Sequence, residues 1–131
     1  MASETEEATG EASVRRVVLV VEDEVLVRML ACDILDDAGY HPLEAVDARE
    51  ALALLEARPD IALMFTDVDM PGEINGLGLA RLAALRWPEL PIVATSGAAG
   101  VQAIDLPPNG RFLQKPYSPS ILIETVERAL A

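Results

Sequence analysis

Apolar residues in this chain come in short runs, separated by stretches in which they recur every three or four positions. The runs are RRVVLVV (15–21), YHPLEA (40–45), IALMFT (61–66), LPIVAT (90–95) and GRFLQ (110–114). Each has the length and composition of a strand. Val27, Leu30, Ala31, Ile34, Leu35 and Ala38 predict a helix over Glu24–Ala38, with Gly39 placed to cap it in the left-handed conformation. Asp47 and Glu50 have the spacing of a capping box, which opens a second helix whose inward stripe is Ala48, Ala51, Leu52 and Leu55 and which ends near Pro59. A third helix, Leu77 to Arg86, stops before Trp87-Pro88 because proline disfavours a helical residue ahead of it. Ser118 as N-cap with Pro119 at the first helical position starts a final helix that runs to the end. Between strands four and five, AAGVQAIDLPPN leaves room for at most two turns of a short or irregular fourth helix. Strands alternating with helices define an α/β protein, a parallel sheet with crossover helices on both faces.

Composition narrows the function. The first 14 residues lack periodicity and hold four glutamates and no base, which predicts a disordered acidic tail, and residues 15–131 form one domain. The net charge is −12, and −8 remains without the tail (18 acidic residues against 10 basic). That field repels phosphate backbones, no cluster of Lys and Arg offsets it, and the five aromatics are too scattered to stack bases, so no nucleic acid is expected as a partner. No apolar run reaches the roughly 18 residues of a membrane span, and the polar N-terminus does not resemble a secretory signal, so a cytoplasmic location without membrane contact is expected. Cys32 is read as a small buried hydrophobe and His41 as structural or exposed.

In a doubly covered parallel sheet, ligands bind beyond the carboxyl ends of the strands. The residues standing there are Glu22, Asp23 and Glu24 after strand one, Asp67 and Asp69 after strand three, Ser96 after strand four and Lys115 after strand five. If strands one and three are neighbours, Glu22, Asp23 and Asp67 converge, and like charges that close need a cation or a proton between them. Oxygen ligands without histidine or cysteine suit magnesium or manganese. Carboxylates, a hard cation, a lysine and a hydroxyl make a site able to receive a phosphoryl group, one carboxylate attacking in line. Taken singly, each acidic residue reads equally well as a helix cap, Lys115 as a surface lysine and Ser96 as a turn residue.

Together, VVLVVEDE (17–24), FTDVDMPG (65–72) followed by NGLGLA (75–80), LPIVATSG (90–97) and FLQKPY (112–117) resemble, in order, the motif blocks of response-regulator receiver domains of two-component signalling. The resemblance covers residues 16–131 and implies a flavodoxin-like sheet of order 2-1-3-4-5. It implies that Asp67 is the phosphoacceptor, that Asp23 binds Mg2+ or Mn2+ directly and Glu22 through water, and that Asp69 gives the metal its backbone carbonyl. Ser96 and Lys115 would contact the phosphoryl group, Pro116 would follow a cis peptide bond, and Ser96 with Phe112 would form the switch. Phosphorylation would then act mainly on the Gly97 to Gly110 segment, Phe112 moving inward. The segment from Asp67 to Gly76 is one residue longer than the family pattern, that from Ser96 to Lys115 a few residues shorter, and Phe112 lacks the hydroxyl of a tyrosine.

The expectation is a stand-alone regulator of the kind found in alphaproteobacteria. It would be phosphorylated by a sensor histidine kinase or phosphotransfer protein and would act by binding an unknown downstream protein or by draining phosphoryl groups. It would catalyse only its own phosphorylation and dephosphorylation. Two rivals are a receiver-like interaction module independent of phosphate and a phosphatase of the haloacid dehalogenase type, whose DxD pair Asp67-Val68-Asp69 matches. The second is disfavoured because that pair normally follows the first strand.

Overall fold

The computed structural model describes residues 15–97 and 105–131. The elements run β1 (Val17–Val21), α1 (Val25–Asp37), β2 (His41–Ala45), α2 (Ala48–Ala57), β3 (Ile61–Asp67), α3 (Gly76–Arg86), β4 (Ile92–Ser96), β5 (Gly110–Gln114) and α4 (Pro119–Leu130). The five strands form one parallel sheet in the order β2-β1-β3-β4-β5. The tail over residues 1–14 and most of the expected short helix between strands four and five, at 98–104, lie outside the described residues.

All five residues of β1 are buried, as are six of the seven in β3, because both faces of the sheet are covered. Leu19, Val21, Met64 and Ile92 face α2 and α3, where they meet Ala51, Leu55, Leu79 and Ala83. Val18, Val20, Leu63, Phe65 and Val93 face the other way, onto Ala31, Leu35, Leu122 and Val126 of α1 and α4. The pairing of β1 with β3 shifts by one residue between Val17 and Val18, so that Val21 lies beside Thr66. The next residue on each strand is then an acid, Glu22 on one and Asp67 on the other.

Local chemistry sets the helix ends. Gly39, at φ +98°, closes α1: its N–H donates to Asp36 O at 3.0 Å and the Tyr40 N–H to Leu35 O at 3.0 Å, a Schellman pair. Asp47 caps Glu50 N at 2.9 Å, but the Glu50 carboxylate accepts from Val46 N rather than Asp47 N, so the box closes one residue early. Asn75 caps α3 through Gly78 N, and Ser118 caps α4 through Ile121 N.

Helix α1 departs from the pattern expected of it. Ala31, Cys32 and Leu35 are its buried residues, while Leu30 is 62% exposed, beside Val25, Leu26 and Met29, which are also exposed. Apolar residues occupy both sides of this helix, so periodicity could not choose between them. The side with the small Ala31 and Cys32 lies on the sheet, which lets the helix approach closely. The Cys32 thiol is accordingly buried, and burial pushes it up to about 11.

Candidate functional site

The buried polar and charged side chains among the described residues are Glu22, Thr66, Asp67, Thr95 and Ser96. All five stand at the carboxyl ends of β1, β3 and β4. Glu22 is set there by three hydrogen bonds: its N–H donates to Ala45 O of β2 at 3.0 Å, its carbonyl accepts from Arg28 Nη1 of α1 at 2.9 Å, and its Oε2 accepts from Glu24 N at 3.1 Å. Carboxylate oxygens of Glu22, Asp23 and Asp67 all lie within 4.8 Å of one another, with Asp23 the most exposed of the three.

Lys115 enters from β5, its Nζ lying 3.5 Å from Asp67 Oδ1 and 3.6 Å from Glu22 Oε1. The Lys115–Pro116 peptide is cis. Asp67 Oδ1 also accepts from Asp69 N at 3.1 Å. Two carboxylates and one ammonium in a buried space leave an uncompensated negative charge. Burial pushes the Glu22 carboxyl up to about 7; the Asp67 carboxylate adds to that rise, and the Glu24 N–H and the Lys115 ammonium oppose it.

The Ser96 hydroxyl donates to Asp69 Oδ2 at 2.8 Å, and Gly97 N donates to the same oxygen at 3.3 Å. Asp69 is therefore engaged through its side chain as well as its backbone. Thr95, one residue earlier on β4, points to the opposite face, where its Oγ1 is buried without a hydrogen-bond partner among the described residues. Phe112 is half-buried on β5, opposite Ala94.

Three positions that sequence reasoning passed over belong to the site. Gly76 is the first: a Cβ there would lie 1.8 Å from the Asp67 carbonyl oxygen, and its N–H donates to Val68 O at 3.2 Å. The first turn of α3 thus rests on the backbone of Asp67 and Val68, which only glycine permits. Arg28, which holds the Glu22 carbonyl, is the second; it looked like one more polar helix residue. The third is Tyr117, whose ring meets Phe65 edge-on at 6.0 Å. Its phenol is pushed up to about 12 by burial and by the Glu22 and Asp67 carboxylates. The residues FLQKPY that contain it were conspicuous, but nothing in them says that the ring packs on Phe65 within reach of the Glu22 and Asp67 charges.

The donor set at the strand ends, oxygen atoms alone around one lysine, fits a hard divalent cation. Among known proteins, residues 18–127 match the family model described as the response regulator receiver domain. The chain is 36% identical over 118 residues to the nitrogen assimilation regulatory protein NtrX of Azorhizobium caulinodans, covering 86% of this chain and 26% of that protein. Similarity to the response regulator receiver protein CpdR of Brucella abortus is 32% over 116 residues, covering 86% of this chain and 95% of that one. The chain thus spans about a quarter of the length of the NtrX-like relatives it matches. The crystal structure of a response regulator receiver protein from Sinorhizobium medicae superimposes with a TM-score of 0.81 at 27% identity, covering 88% of this chain and 94% of that one.

Proposed function

Because this chain belongs to the response-regulator receiver domains of two-component signalling, we propose that Asp67 accepts a phosphoryl group from a phosphohistidine of a sensor kinase or phosphotransfer protein. The observation that carries this reading is the buried Asp67 carboxylate, with an ammonium at 3.5 Å and the carboxylates of Glu22 and Asp23 beside it.

The chemistry follows from what each group can do. The Asp69 N–H and the Lys115 ammonium hold Asp67 Oδ1, which leaves Oδ2 to attack. Oδ2 forms a bond to phosphorus as the phosphorus–nitrogen bond breaks, and the imidazole leaves and takes up a proton. Lys115 then shifts toward a phosphoryl oxygen, and the Ser96 hydroxyl donates to another. Glu22, Asp23, Asp67 and the Asp69 carbonyl would hold Mg2+ or Mn2+, which supplies positive charge for the phosphoryl oxygens. The exposed apolar residues Val25, Leu26, Met29 and Leu30 of α1, the helix that follows Glu22 and Asp23 in the chain, offer the donor protein a place to dock.

Downstream, the partner is a protein. The net charge of −12 disfavours nucleic acid, and no described helix is long and apolar enough to cross a membrane. In the test, acetyl phosphate or a phosphohistidine donor labels Asp67 only when Mg2+ or Mn2+ is present. An undiminished adduct by mass spectrometry in Asp67→Asn, or in excess chelator, overturns the assignment.

A further inference from the structure

We infer that the Asp69 carboxylate is a positioning residue that holds the end of β4 where a phosphoryl group would hold it, and that it competes with phosphorylation of Asp67. This inference rests on the reading of Asp67 as the acceptor. One oxygen, Asp69 Oδ2, collects the Ser96 hydroxyl at 2.8 Å and the Gly97 N–H at 3.3 Å, across 27 residues of sequence. The Asp69 N–H at the same time donates to the acceptor carboxylate at 3.1 Å, so the side chain starts from the rim of the pocket. A charged oxygen with a hydroxyl and an amide directed at it is also what a phosphoryl oxygen beside Ser96 requires.

Two consequences follow. A serine hydroxyl has a single proton to donate. Ser96 cannot donate to Asp69 and to a phosphoryl oxygen together, so phosphorylation exchanges one acceptor for the other instead of creating a new bond. In addition, the dianionic phosphoryl group and the Asp69 carboxylate repel each other at the pocket rim. Asp69 therefore keeps Ser96 and Gly97 near their phosphorylated position and weakens the site's hold on the phosphoryl group. The Asp69 side chain is exposed, while Ser96 is fully buried, so the aspartate can swing into water as the exchange occurs.

Asp69→Asn keeps an oxygen acceptor and removes the charge, whereas Asp69→Ala removes both. The probe is beryllofluoride at saturating Mg2+, its binding to each protein followed by fluorine NMR. Both variants are expected to bind it more tightly than wild type, Asp69→Ala by about tenfold, the scale of one relieved like-charge contact near a surface. A second readout, in metal-free protein, is the Gly97 amide proton: its resonance moves upfield in Asp69→Ala and stays near wild type in Asp69→Asn. Equal binding by all three proteins, or weaker binding by Asp69→Ala, overturns the competition. An unmoved Gly97 resonance in Asp69→Ala overturns the positioning role. If wild type takes up no beryllofluoride, the acceptor reading fails and the competition fails with it.

Discussion

Strand β3 contains two regions built under opposite conditions. Leu63, Met64 and Phe65 are buried apolar residues, each against partners of its own kind from a helix above or below the sheet. Thr66 and Asp67, the next two residues, are buried just as deeply and are polar. The same change occurs from Val21 to Glu22 and from Ala94 to Thr95 and Ser96. In the middle of the sheet each buried atom adds stability. At its carboxyl edge the buried groups reduce stability, and the apolar middle offsets that cost. A cluster of like charges is unstable without a counter-charge, and this fold places it where rigid strands can hold it.

The largest expected effect lies in the middle. Leu63→Ala should destabilise the domain by about 3 kcal/mol, the usual cost of removing a fully buried leucine, as measured by urea denaturation. A loss under 1 kcal/mol would show that the two faces are not packed as described.

Gly76→Ala comes next and couples the two regions. The added methyl group cannot fit 1.8 Å from the Asp67 carbonyl, so α3 or the end of β3 must move. The expected cost is about 2 kcal/mol for overpacking, with a roughly hundredfold slower phosphorylation for a displacement near 1 Å. Normal labelling in a destabilised variant would show that the helix moves and Asp67 does not.

At the edge the sign reverses. Asp67→Asn should stabilise the metal-free protein by about 1 kcal/mol, since the amide oxygen can still accept from Asp69 N while Lys115 remains beside Glu22. A lower melting temperature than wild type in chelator would mean that the carboxylates do not repel as their spacing implies. Thr95→Val should also stabilise, by about 1 kcal/mol or somewhat less, because it removes a buried hydroxyl without a partner. Destabilisation would point to a partner for that hydroxyl.

One further effect appears only in alkali. Tyr117 holds its proton up to about 12 in the fold, against roughly 10 in the unfolded chain. The native state therefore binds more protons between those values, and stability falls as pH rises from about 10 to 12. Tyr117→Phe should lessen that slope, which urea denaturation at several alkaline pH values can measure.

How much of this was legible beforehand varies from residue to residue. The strands and helices were readable because burial on two faces forces near-continuous apolar runs, and because caps such as Gly39, Asp47 and Ser118 act within one turn of their own position. The acidic cluster was readable for a related reason: the carboxyl ends of parallel strands lie at one edge, and the strand order implied by the family resemblance set Glu22 and Asp23 beside Asp67, with Lys115 coming from the far side.

Contacts that depend on the distance between elements were not readable. Apolar residues occupy both sides of α1, and although Cys32 was read as buried, only the docking of the helix decided that Leu30 faces water. Gly76 looks like any glycine near a helix start until α3 is seen resting on the Asp67 carbonyl. Asp69 was given a role for its backbone alone, because nothing in the spacing of Asp69 and Ser96 shows that a short carboxylate can cross from one strand end to the next. Periodicity and capping are properties of neighbouring residues, and the chain alone determines them. The approach of one element to another is a balance over all the side chains between them, and only the folded molecule decides it.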